Sequence, residues 1–254
     1  MTYILPVARR NSRFLVIFAA LFFPGAGHAV EAYDDCIALI AQDGPRAVRE
    51  AGEWARFGGG APARHCYAIA LNENGASSRA ADELLAIVDE EPDLKEDASA
   101  AILVQAGEIL LELGDVLTAR RVARQALRLS PGLVSALRIT ARSQIQTGDL
   151  QSAVDNLDRA LSLRPGDPVL LVLRAAVHRQ RGSLIAARDD AVFATEAAPR
   201  EPSAWLERGR IAERMQDRDL ARQAYLRAVD LDREGPTGRA ARIALQRMET
   251  GALN

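Results

Sequence analysis

Prolines stand at Pro131, Pro165 and Pro199, each 34 residues from the next, and Gly114, Gly148 and Gly182 keep the same step. Two alanine series share it: Ala119, Ala153, Ala187, Ala221, and Ala126, Ala160, Ala194, Ala228. Three residue types holding one period rarely arise by chance. A fixed period of this length marks a stacked array of identical supersecondary units.

One period spells out its own structure. Val134 to Gln146 predicts a first helix, Thr147-Gly148-Asp149 a turn, and Leu150 to Leu163 a second helix. Gly148 suits the left-handed conformation that closes a helix. Ala141, Ala153 and Ala160 let paired helices approach closely, and Pro165 stops the second helix. Such a hairpin cannot bury its apolar face alone, so it must stack on its neighbours. Composition agrees: 48% of residues are hydrophobic but only 5% aromatic. A core of small residues favours helix on helix over a sheet.

These residues resemble the tetratricopeptide repeat family. Residues 100–133 supply Leu103, Gly107, Gly114, Ala119, Ala126 and Pro131 to its pattern; 134–167 supply Leu137, Ala141, Gly148, Ala153, Leu157, Ala160 and Pro165. Residues 168–201 supply Leu171, Ala175, Gly182, Ala187, Ala194 and Pro199, and 202–235 supply Trp205, Gly209, Ala221, Tyr225 and Ala228. The last departs at Gln216, where a turn glycine is wanted, and at Arg233. Upstream, 61–94 fit through Ala68, Gly75, Ala80, Leu84 and Pro92, a junction insert at 95–99 follows, and 30–60 read as a degenerate helical hairpin. Residues 236–254 read as a capping helix and tail, with Ala241, Ile243, Leu245 and Met248 toward the last repeat. The resemblance implies an all-α, right-handed superhelical solenoid of antiparallel helix pairs with a C-terminal capping helix.

Residues 1–29 read as a signal peptide. Arg9, Arg10 and Arg13 precede the apolar run Phe14–Phe23, and Gly27 and Ala29 supply the small residues before cleavage after Ala29. Ten apolar residues cover about 15 Å as a helix, half a bilayer's hydrocarbon. A periplasmic or secreted location is therefore expected; the alternative is inner-membrane anchoring by an uncleaved signal. Cys36 and Cys66 fall in the first helices of the first two hairpins, and pairing is the simplest fate of two cysteines in an exported chain. Free thiols are the alternative.

A search for chemistry finds none of the motifs that carry it: no Gly-x-Ser-x-Gly, no His-Glu-x-x-His, no phosphate-cradling glycine loop. The reading is no enzyme, no cofactor and no metal. The net charge of −2 argues against nucleic acid as partner. His178 reads as a packed histidine, Asp189-Asp190 as solvated ion pairs, and the acidic stretch Asp89 through Asp97 as a hydrated loop, with an interaction site for a basic partner as the alternative.

The resemblance implies that first helices line a concave groove receiving a peptide or an unstructured protein segment. By register, Arg138, Arg142, Arg179, Arg210 and Arg214 face it, with Val172 and Leu206 among the apolar positions and Glu108, Leu111 and Glu213 also on that side. Arginine grips carboxylates bidentately, so an acidic or carboxylate-bearing segment is the expected ligand. The resulting expectation is a protein–protein interaction module, an assembly factor or scaffold of the cell envelope. The alternative is a structural or self-associating scaffold that works through its end hairpins, with no groove ligand.

Overall fold

A computed structural model describes the backbone of residues 27–250 and the side chains from Tyr33 onward. The expected signal segment falls on residues outside that description. The described residues contain thirteen helices and no strand. They are α1 (Gly27–Gln42), α2 (Gly44–Arg56), α3 (Gly60–Glu73), α4 (Ser77–Glu90), α5 (Glu96–Glu112), α6 (Val116–Leu129) and α7 (Val134–Gln146). There follow α8 (Leu150–Leu163), α9 (Pro168–Gln180), α10 (Leu184–Ala197), α11 (Pro202–Arg214), α12 (Arg218–Leu231) and α13 (Pro236–Glu249). The chain forms two compact units, one through Ile102 and one from Leu103.

In the first unit α2 packs on α3, α3 on α4, and α1 on both α2 and α3. Asp43 caps α2 by accepting from the Arg46 N–H, and Pro45 sits in the first turn, where a missing N–H costs nothing. Cys36 and Cys66 are joined by a disulfide across α1 and α3, their Cα atoms 6.5 Å apart. It lies in a small core with Tyr33 and Ala51, where the Tyr33 hydroxyl bonds His65 Nδ1 at 2.7 Å.

The second unit repeats one local solution. Gly114, Gly148 and Gly182 take φ near +80° and end their first helices. Asp115, Asp149 and Asp217 then cap the second helices by accepting from the N–H of Thr118, Ser152 and Leu220. Asp167 caps α9 ahead of Pro168, and Glu201 caps α11 ahead of Pro202. Each helix from α6 to α13 packs on the next, and first helices also touch one another: α7 meets α9, and α9 meets α11. Ala141, Ala153 and Ala160 are fully buried around Leu137, Leu157 and Leu170. Each such leucine contributes about 1.5–3 kcal/mol of burial.

Two local expectations change. The acidic stretch is a loop only over 91–95: α5 begins at Glu96 and takes up the rest of the junction insert as an extra helical turn, with Ala98 and Ala100 buried. The acids Asp89 and Glu90 close α4, and Glu96 and Asp97 open α5. In α13, Ile243 points outward at 60% exposure while Ala241, Ala244 and Met248 are buried on α12. The spacing i, i+3, i+7 shares one helical face, and Ile243 is two residues off it.

Candidate interaction surface on the first helices

Glu108 on α5 is only 3% exposed, yet it carries a carboxylate. Arg138 Nη2 donates to its Oε1 at 2.7 Å and Arg142 Nη1 to its Oε2 at 2.6 Å. The two arginines stand four apart on α7, so both project from one face toward the same helix. Burying a carboxylate is costly unless it is paired, and this one uses both oxygens. Each guanidinium remains about one-third open to solvent.

A second cluster has the order reversed. Glu207 on α11, also 3% exposed, accepts from Arg179 Nε of α9 at 2.6 Å and from Arg210 Nη1 of its own helix at 3.4 Å. Each cluster thus holds two cations against one anion, and the surplus charge sits on partly open guanidinium groups.

The remaining expected positions scatter. Arg214 is exposed, and Val172 is half-buried against the core. Leu206 is buried at 7% among Ala221, Tyr225 and Ala228, and Leu111 is buried as well, so both serve the core instead of a ligand-facing surface. Glu213 accepts from the Tyr225 hydroxyl at 2.6 Å. Burial and that anion push the Tyr225 hydroxyl well above its ordinary value. Sequence reading passes over Glu207. Its signal is an acid three residues before Arg210 on a first helix that also carries Arg208, Arg214 and Glu213.

Asp190 also differs from expectation. It is buried at 6% and takes a bidentate grip from Arg174, Nε at 2.8 Å and Nη2 at 2.6 Å, while Arg174 also reaches Asp158 at 2.7 Å. These carboxylates push the guanidinium pKa up despite partial burial. Asp189 is exposed and pairs with Arg188. His178 beside this network leaves its Nδ1 buried without a partner, and desolvation lowers its pKa. Among the described residues no group of His, Cys, Asp and Glu is placed to hold a metal ion. No described helix is long and apolar enough to cross a membrane.

Stacked antiparallel helix pairs tied through their first helices define a helical-repeat scaffold. The tetratricopeptide repeat pattern matches residues 104–168 and again 172–237, more than half the chain. The chain belongs to the tetratricopeptide repeat family, whose members are protein–protein interaction modules. Solved structures of similar fold include PilF of Pseudomonas aeruginosa, 16% identical, covering 85% of this chain and 98% of its own, with a TM-score of 0.66. MamA of Desulfovibrio magneticus RS-1 is 20% identical, covering 68% and 95%, with a TM-score of 0.57. YrrB, described as a repeat protein with an unusual peptide-binding site, is 18% identical, covering 79% and 97%, at 0.52. Comparison with curated protein sequences finds no match.

Proposed function

We propose that the face of α5, α7, α9 and α11 is a peptide-binding groove for an acidic or carboxylate-bearing segment. The observation that carries this is the two-to-one ratio of arginine to buried glutamate in both clusters. The glutamates fix the guanidinium groups in place, which lowers the ordering cost of binding, and the unneutralised charge attracts a carboxylate. The peptide-binding site of YrrB supports a peptide as the class of ligand. The basic, apolar, small-residue order of residues 1–29 and the disulfide support export, and with it a role as assembly factor or scaffold in the cell envelope.

The test pairs the native chain with an Arg142→Gln/Arg210→Gln variant as baits for envelope extract. Each substitution leaves its buried glutamate one arginine, Arg138 or Arg179, and removes the surplus charge. A partner held by the native bait and lost by the variant supports the groove. Equal retention by both moves binding to the end hairpins, the scaffold alternative.

A further inference from the structure

A second basic site lies in the first unit, on side chains other than the first-helix arginines. Helices α2, α3 and α4 enclose an open cleft of about 590 Å³, within the size range of ligand sites. Its walls are apolar at Val48, Gly52 and Ala55 of α2 and aromatic at Tyr67 of α3. Gly52 permits this shape: a Cβ there would stand 3.1 Å from Tyr67 Cε2. Arg79 donates to the Tyr67 hydroxyl at 2.7 Å and holds the ring in position.

The rim charges are unequal in their freedom. Arg64 is committed to Glu83 at 2.6 Å and Glu90 at 2.9 Å, which also neutralises the acid Glu83 that lines the cleft. Arg49 and Arg56 donate only to carbonyls of their own helix, Pro45 and Gly52, both at 3.3 Å. No described carboxylate pairs with either, both are exposed, and Glu53 is outside the lining. A protein with a net charge of −2 therefore keeps two unpaired arginines beside an aromatic floor.

Their spacing specifies a ligand. Seven residues along a helix separate Arg49 and Arg56 by about 10.5 Å of rise. In an extended peptide alternate side chains share a face, so positions four apart point the same way about 13 Å from each other, within reach of two long arginine side chains. We infer that this cleft binds an extended acidic segment of another protein, with two carboxylates four residues apart gripped by Arg49 and Arg56 and the apolar side chain midway between them seated on Tyr67. Arginine's fork suits a carboxylate bidentately, and the apolar walls strengthen the contact by excluding water.

The experiment titrates the full chain, carrying Arg142→Gln/Arg210→Gln to silence the first-helix face, into a dye-labelled peptide bearing two glutamates four residues apart with a leucine midway, against the same peptide with glutamines. Arg49→Gln/Arg56→Gln is the principal variant. Ala55→Glu, which adds an acid to the cleft wall, is the second, and Arg121→Gln/Arg128→Gln, an exposed pair on α6 with the same spacing, is the control. The expected result is binding at least about tenfold tighter for the glutamate peptide. Either cleft variant should lose a similar factor, while the control leaves the affinity unchanged. The inference is overturned by equal affinity for the glutamine peptide, by no binding at all, or by retention in both cleft variants. Loss in the control as well overturns it, because positive charge anywhere on the surface then attracts the peptide. Displacement by inorganic phosphate at the peptide's own concentration overturns it too, because the cleft is then a phosphate site.

Discussion

Gly209 of α11 and Tyr225 of α12 are matched in size: a Cβ on Gly209 would stand 2.6 Å from ring atoms Cδ1 and Cε1 of Tyr225. Tyr225 is fully buried and tethered through its hydroxyl to Glu213, so the ring cannot yield. Gly209→Ala should therefore cost about 1–3 kcal/mol by overpacking. Tyr225→Leu should remove that clash, so a urea-unfolding double-mutant cycle should show the glycine substitution cheaper when Tyr225→Leu is already present. Equal costs in both backgrounds would mean that the two sites do not sense each other.

The Cys36–Cys66 disulfide closes a loop with a sequence separation of 30. In the chain-entropy account such a loop stabilises by about 3–4 kcal/mol. Cys36→Ala/Cys66→Ala should lower the unfolding free energy of the first unit by that order, read by denaturant titration with Trp54 fluorescence. Thiol titration of the denatured native chain should find no reactive cysteine.

Elements governed by local rules are legible in the sequence alone. The period, the glycine turns, α7 and α8 to the residue, and the prolines opening α9 and α11 all follow from backbone preferences written in single residues. What the sequence hides depends on partners far along the chain. Register puts Glu108 on the groove side without its burial and passes over Glu207 altogether; both are buried carboxylates paired by Arg138, Arg142 and Arg179 from the neighbouring first helix. Register alone puts Leu206 and Ile243 on the wrong side of their helices. A position near the edge of an apolar stripe is assigned by how the next helix packs, which the period does not fix.

Gln216 occupies the turn position that glycine holds in the preceding repeats, and it adopts φ +64°. A side chain in that left-handed region costs about 1 kcal/mol. Part of the relief from glycine is offset by its greater freedom when unfolded. Gln216→Gly should still raise stability by about 0.5 kcal/mol, visible as a higher thermal midpoint with unchanged helicity. A lower midpoint would show that the Gln216 side chain makes a compensating contact.

His178 gives the second unit a pH dependence of definite sign. Burial, aided by Arg174 and Arg181 and opposed by Asp190 and Asp158, holds its imidazole below the ordinary 6.5. The unfolded chain takes up this proton near pH 6.5 and the folded chain only lower, so stability falls as pH drops below about 6.5. His178→Gln should flatten that part of the profile in unfolding titrations across mildly acidic pH. An unchanged slope would assign the loss to other groups.

Glu108→Gln separates stability from binding on the first-helix face. The substitution removes the carboxylate shared by Arg138 and Arg142 and should cost about 1–3 kcal/mol, since a buried site loses its charged acceptor. The same change leaves both partly open arginines without an anion. Affinity for a glutamate-rich peptide captured by that face should therefore rise while the unfolding midpoint falls. The two readouts move in opposite directions only if surplus positive charge is what attracts the ligand. A parallel loss of both would mean that Glu108 holds the arginines in their binding geometry, with order mattering more than charge.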